Sequence, residues 1–259
     1  MDWNAFFDTY AVEEKYLSQA YERVGDKKRA FFKKQIYELT EYYQYLKELK
    51  LSVCKKNYSL FELEEGFSPK KEVIFLVEEG FFAVNQILAL FIPLLLAGVE
   101  KIGVVLLGSK TKIKAEIFVG LELAGGYYLA WGKKKRVIEF LNCQQRPVFY
   151  FGFNSRWLKS VFWQTPLTRG VIWEEQEKIN LENLLWANPH TTFYASWGKE
   201  DTPVKPLEER ERDFFLEIGS QKTSFAKLTL APGEETSWIW PDFNWTWAFE
   251  KYVFISRRS

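Results

Sequence analysis

The rhythm of apolar and polar positions changes several times along the chain. Across residues 11–50, Phe32, Ile36, Leu39, Tyr43 and Leu46 recur at alternating steps of four and three. That spacing lays an apolar stripe along one face of a helix. Lys27, Lys28, Lys33, Lys34 and Lys47 take much of the remaining surface. The pattern predicts a helix or helical hairpin packed on the main body. A dimer-forming seam is the alternative, because the same positions suit a coiled coil. Residues 51–72, with Gly66 and Pro69, read as a polar connection.

The period then switches. Val73–Val77, Ile102–Leu107, Tyr127–Trp131 and Val148–Phe153 are short β-rich runs. Between them lie segments of helical length at Phe82–Leu96, Thr111–Ala124 and Lys133–Leu141. Alternating strands and helices with short links predict an α/β layer, a mainly parallel sheet with helices on both faces. Strands that read as unbroken apolar runs suit a sheet covered on both sides. Gly80 to Val99 carries no charge over 20 residues, the length of a membrane span. Asn85, Gln86 and Pro93 within it favour a buried helix instead.

Beyond residue 154 the pattern weakens into a C-terminal mixed α+β extension. Leu181–Trp186 suggests a helix, and His190–Trp197, Phe225–Leu230 and Tyr252–Ser256 suggest strands. Lys205–Arg212 reads as a charged loop or short helix, and Pro232-Gly233 as a turn. No internal repeat stands out. The expected organisation is an N-terminal helical segment (1–70), the β/α layer (71–160) and the extension (161–259), the last packed on the same core.

Composition narrows the function classes. Lys+Arg 35 against Asp+Glu 34 leaves a net charge of +1 in 259 residues. No global field draws this chain to nucleic acid. The two cysteines, Cys54 and Cys143, lack paired spacing, and His190 is the single histidine. A disulfide framework and a zinc site are both disfavoured, and His190 reads as structural. The opening MDWNAFFDTY has no basic region followed by an apolar stretch, so it is not a signal peptide. A cytoplasmic setting with no membrane contact is expected.

Ile92–Leu107, IPLLLAGVEKIGVVLL, holds Pro93, Ala97 and Gly98 at the spacing of a helix ending in Pro-x-x-x-Ala-Gly before a strand. Leu121–Gly132 and Val148–Ser155, VFYFGFNS, follow in order. Together these resemble the cofactor-binding half of the aldehyde dehydrogenase superfamily, and within it histidinol dehydrogenase, over residues 70–160. The resemblance implies a Rossmann-like sheet with a ligand crevice at the carboxyl ends of its strands. Gly108, Ser109 and Lys110 follow one strand, Gly132, Lys133 and Lys134 another, and Gly152 and Ser155 a third. These eight are the candidate binding residues for a nucleotide or phosphorylated ligand, since glycines admit a phosphate and helix N-termini offer free N–H groups. Lys133–Arg136, with Lys110, Lys112 and Lys114, would place two basic clusters on that edge. The glycines also suit ordinary tight turns, and the lysines a solvated basic turn.

The departures from the family bear equally on function. Aldehyde dehydrogenases carry an oxyanion-stabilising Asn where Phe81 stands, and a nucleophilic Cys beyond the last of these strands, where this chain has none. Histidinol dehydrogenases need zinc ligands and histidine bases that His190 alone cannot supply. A second glycine expected after Gly152 is missing, with Trp157 and Leu158 nearby. The expectation is a catalytically degenerate relative, a binding or assembly protein with an anion or nucleotide pocket and no metal. An active enzyme of another class, using unidentified Asp, Glu, Tyr or Lys groups in the same cleft, stays open, as does a structural subunit. Trp238, Trp240, Trp245 and Trp247 are spaced as two strand-face pairs around a turn at Pro241–Asn244. That ribbon, expected to face inward, and the N-terminal helix are the candidate contacts for a homo-oligomer or protein partner.

Overall fold

The computed structural model describes residues 2–49, 53–142, 146–166, 168–208, 213–221 and 226–257. The chain opens with α1 (Trp3–Thr9), α2 (Glu14–Arg23), α3 (Asp26–Tyr43) and α4 (Tyr45–Leu49). The helical reading over this segment holds as three helices, with breaks at Val24-Gly25 and at Gln44. The apolar stripe is spent inside the chain: Phe32, Leu39, Tyr43 and Leu46 are all buried, and α3 packs on α5 and α6, whose ranges follow. The helix α1 had no signal in the periodicity. Asp2 caps it, its Oδ1 accepting from the Ala5 N–H at 2.8 Å.

Two strands come next, β1 (Val53–Asn57) and β2 (Phe61–Pro69). The first α/β layer comprises β3 (Glu72–Glu78), α5 (Val84–Leu96), β4 (Lys101–Leu107), α6 (Ala115–Ala124), β5 (Tyr128–Gly132), α7 (Lys134–Leu141), β6 (Val148–Phe151) and the short β7 (Trp163–Gln164). A second layer comprises β8 (Thr168–Ile172), α8 (Leu181–Ala187), β9 (Thr191–Ala195), β10 (Val204–Pro206), β11 (Phe214–Ile218) and β12 (Ala226–Leu230). The last strand is β13 (Phe249–Arg257).

The four apolar runs form one parallel sheet, as their patterning predicts, in the order β5-β4-β3-β6-β7. Alternate residues of its strands feed opposite faces. Phe75, Val77, Val104, Leu106, Phe149 and Phe151 meet α5 and its neighbours. Ile74, Leu76, Val105, Leu107 and Tyr150 meet Trp3, Phe6 and Phe7 of α1 and Val137 and Phe140 of α7. Burying an aromatic such as Phe6 contributes about 2–3 kcal/mol, and its ring stacks on Phe140 at 4.1 Å. The charge-free α5 is buried on nearly every side because α3 and α6 flank it above the sheet. Its 13 residues span about 20 Å at 1.5 Å per residue. No helix among the described residues is long and apolar enough to cross a membrane.

The C-terminal mixed α+β part contains the helix and strands expected of it, as α8, β9, β12 and β13. Its sheet, β10-β9-β8-β11-β12, is parallel throughout. In chain order both sheets run third, second, first, fourth, fifth, so the fold repeats a topology that the sequence does not display as a repeat. The polar connection over 51–72 is also a strand pair. β1 and β2 pair antiparallel, and β13 adds along β2 from Phe249↔Pro69 to Arg257↔Phe61. Ion pairs Lys55–Glu64 (3.0 Å) and Lys251–Glu65 (3.0 Å) cross this arm.

The tryptophan ribbon is not a hairpin. Residues 237–248 run through turns, and Asn244 caps a single 3-10 turn at Trp245–Trp247. Trp238 and Trp240 are buried, and Trp245 and Trp247 half-buried. A bidentate amide contact holds the segment to α3: the Trp238 N–H donates to Gln35 Oε1 at 2.7 Å, and Gln35 Nε2 donates to the Trp238 carbonyl at 2.5 Å. Trp238 and Trp240 therefore belong to the core.

Candidate functional site

In an open parallel sheet, neighbouring strands whose connections leave in opposite directions open a crevice at their carboxyl ends. In the first sheet that point lies between β3 and β6, and in the second between β8 and β11. At each crevice a glutamate of the chain hydrogen-bonds across the gap.

At the first, β3 ends on Glu78. One carboxylate oxygen, Oε2, accepts from the Tyr150 hydroxyl at 2.7 Å and from the Phe153 N–H at 3.2 Å. The other, Oε1, lies 3.3 Å from Lys134 Nζ. Gly152 has no side chain because a Cβ there would stand 2.7 Å from Glu78 Oε2 and from the Tyr150 hydroxyl. Burial, and then the Glu78 charge, push the Tyr150 phenol well above its ordinary ionisation range. Next to it, Glu79 Oε2 accepts from the Ser109 N–H at 2.8 Å, and Lys112 lies 3.3 Å from Oε1. The Ser109 N–H and then Lys112 hold the Glu79 carboxyl below the usual carboxylate range. Gly108 sits at φ +125°, and a Cβ on it would run into the Glu79 side chain.

The second crevice repeats the device. Glu174, just past β8, accepts from the Ser220 N–H at 2.7 Å and from the Ser220 hydroxyl. These bonds hold its carboxyl below the usual range. In both sheets a glutamate at the end of the first strand, Glu78 as its last residue and Glu174 two residues past it, takes the N–H two residues beyond the fourth strand: Phe153 after Gly152, and Ser220 after Gly219.

All eight candidate residues lie along the carboxyl edge of the first sheet, and Ser109, Lys110, Lys134 and Ser155 turn polar groups to other parts of the chain. Ser109 gives its N–H to Glu79, and its hydroxyl meets Thr111 at 3.0 Å. Lys110 pairs with Glu13 at 3.1 Å and lies over the Tyr16 and Trp131 rings. Gly132 is packed between Val105 and Val137. Lys133 is the N-cap residue of α7, and Lys134 pairs with Glu78. The Ser155 hydroxyl donates to Gln164. The two basic clusters do share an edge, yet Lys110, Lys112 and Lys134 each meet a carboxylate there. A signal for this existed in the sequence, since Glu78-Glu79 and Glu174-Glu175 each follow an apolar run closely.

An open hollow lies elsewhere, between the two layers. It is a cleft of about 250 Å³ bounded by Lys28 and Phe32 of α3, Phe82 and Asn85 at the start of α5, Lys114 and Glu116 at the start of α6, and Trp186 of α8. A shallower hollow by Glu79 and Lys112 shares Phe82 and Lys114 with it. Lys28 pairs with Glu116 at 2.8 Å and lies 5.4 Å from the Trp186 ring centre. Lys114 lies 5.0 Å from the Phe82 ring centre. Asn85 is 2% exposed; its Nδ2 donates to the Thr236 carbonyl, while its Oδ1 is buried without a partner. An unmet buried acceptor costs about 1–3 kcal/mol. None of Lys28, Phe82, Asn85, Glu116 and Trp186 was a sequence candidate for binding.

His190, just before β9, closes one end of this interface. Its Nε2 accepts from the Phe82 N–H at 2.8 Å, which puts the ring proton on Nδ1. Phe81, Phe82 and Phe153 surround the ring, and burial pushes its ionisation below the ordinary histidine value. Phe81, where the resemblance implies an asparagine, is buried against Phe151, and its side chain offers no donor. Among the described residues no group of three or more His, Cys, Asp or Glu could hold a metal ion.

Two parallel α/β layers with an antiparallel arm make up the fold. Histidinol dehydrogenase from Elizabethkingia anophelis shares it, with a TM-score of 0.58 and 11% identity over 96% of this chain and 77% of that one. The likeness in fold thus extends well beyond residues 70–160. The putative aldehyde dehydrogenase PutA from Anabaena variabilis is also similar, with a TM-score of 0.33 and 15% identity over 70% of this chain and 50% of that one. No family model and no curated protein sequence matches the chain.

Proposed function

We propose that this chain is a binding or assembly protein built on a dehydrogenase-type fold, with no dinucleotide-dependent oxidation of its own. The observation that carries this is the occupancy of both strand-end crevices by the chain's own carboxylates. Glu78 and Glu174 take the N–H groups that an anionic cofactor would otherwise use. A phosphate entering the first crevice would also stand beside Glu78 and Glu79. Two like charges about 4 Å apart repel by about 1 kcal/mol in water and about 4 kcal/mol at an effective dielectric of 20. Phe81, and the absence of any cysteine beyond Cys143, support the same reading. The anion expected at Gly108, Gly132 and Gly152 is, on this account, internal. An enzyme of another class would need side chains free to react, whereas Glu78, Glu79, Tyr150, Lys112 and Lys134 are joined to one another or to backbone. The widely separated cysteines support a cytoplasmic setting.

Calorimetric titration tests the reading. NAD, NADP and inorganic pyrophosphate should give no saturable heat at the strand ends of the wild-type protein. Glu78→Ala, which vacates the first crevice, should gain pyrophosphate binding. Tight wild-type binding of NAD that Glu78→Ala leaves unchanged would overturn the proposal. An assembly role is the second reading, favoured by Val253, Phe254 and Ile255, which are exposed on β13 at 51%, 60% and 62%. A strictly monomeric chain in sedimentation equilibrium would exclude self-assembly.

A further inference from the structure

We propose that the cleft between the two layers binds a small monocarboxylate with an apolar body and an amide N–H. This rests on reading the chain as a binding protein and names the class of its ligand.

Charge sets the first requirement. The cleft carries two ammonium groups, Lys28 and Lys114, and one carboxylate, Glu116. Lys28 is spent on Glu116 at 2.8 Å. Lys114 acts on the same carboxylate at longer range and makes no ion pair among the described residues. One negative charge on the ligand balances the group, while a phosphate dianion would exceed it and face Glu116 at close range. The walls set the second requirement. Phe82, Phe32, Val84 and Trp186 offer apolar surface, and each lysine lies over one of these rings, Lys28 over Trp186 and Lys114 over Phe82. An apolar body fits against these faces with its carboxylate at the rim, where Lys114 is exposed.

Asn85 supplies the third requirement. It lines the cleft and is 2% exposed. Thr236 fixes the orientation of its amide by taking the Nδ2 proton, which leaves Oδ1 as a buried acceptor with no donor. A ligand N–H at that wall completes it. Size sets the limit. A volume of about 250 Å³ falls below the roughly 300–1,000 Å³ of pockets for drug-sized ligands, which favours a small ligand.

N-acetylglycine, hippurate and N-acetylphenylalanine serve as probes on the full chain, by calorimetry and by methyl NMR of Val84. At least one should bind saturably and move the Val84 methyl resonances. Hippurate methyl ester, without the charge, and benzoate, without the N–H, should bind more weakly. Lys114→Ala, an exposed change that leaves the core intact, should weaken binding by about tenfold, the loss of one charge-assisted bond. Absence of saturation with every probe, or binding indifferent to Lys114→Ala, or binding that leaves Val84 unmoved, overturns the site. Nicotinamide-dependent turnover would instead sink the binding-protein reading, so the two failures are distinguishable.

Discussion

Replacing Glu78 with alanine perturbs the feature on which the functional reading depends. The substitution deletes an acceptor for the Phe153 N–H and the Tyr150 hydroxyl, together with the Lys134 ion pair. A hydrogen bond to a charged group contributes about 1.5–3 kcal/mol. The three losses are unequal. The Tyr150 hydroxyl has a second acceptor in the Asn154 carbonyl at 2.9 Å and is not orphaned. Lys134 is 54% exposed, and an ion pair of that kind contributes about 0–1 kcal/mol. The Phe153 N–H is the main loss. The net cost should be about 2 kcal/mol, a fall in Tm of roughly 4–8 °C for a chain of this size. Urea unfolding should show a lower midpoint with an unchanged slope. Tyr150→Phe alone should cost about 1 kcal/mol, and the double variant less than the sum because the pair is coupled. A Glu78→Ala protein as stable as wild type would refute the clamp, and with it the internal occupancy of the crevice.

Other outcomes follow from the same structure. Glu174→Ala should also lower the unfolding midpoint, because it frees the Ser220 N–H and hydroxyl at the second crevice; an unchanged midpoint would make the parallel between the two sheets accidental. His190 ionises below its ordinary value of 6.5 in the folded chain, so the unfolded chain binds the proton first. Its contribution to stability is therefore complete above pH 6.5 and lost as pH falls through the lower folded value, and His190→Asn should flatten the stability profile across that window. Phe75, fully buried among Phe91, Phe149 and Phe151, should cost about 3–5 kcal/mol when replaced by alanine. Tyr37→Ala, at a side chain 66% exposed, should stay within about 0.5 kcal/mol of wild type.

The first sheet was legible because its strands are buried on both faces and so carry continuous apolar runs, such as Val73–Val77. The strands of the second sheet are interrupted by polar side chains that the fold satisfies. Arg169 in β8 lies over the Tyr194 and Phe214 rings, and Glu217 in β11, fully buried, accepts from Trp173 and Thr229. Such residues read as loop when their partners are distant in sequence. The first two strands of the arm escaped, although Tyr252–Ser256 in β13 was read, because β1 is exposed along its whole length and β2 is mostly half-buried, so neither shows a period of two. The tryptophans at steps of two misled in the other direction: Pro241 and the Asn244 cap set turns where the side-chain spacing alone suggested a hairpin. At the candidate site, the strand-end glycines were visible as small residues. What they accommodate was not, because the direction in which Glu78 and Glu79 turn depends on Phe153 and Ser109, 75 and 30 residues away.

The most direct test of the central claim is a nicotinamide absorbance assay on the purified full chain, with NAD and NADP, over a panel of aldehydes and histidinol. A flat trace is expected for wild type and also for Glu78→Ala, because on the proposed reading emptying the crevice adds neither a nucleophile nor a base. Saturable, enzyme-dependent production or consumption of reduced nicotinamide by the wild-type chain would contradict it.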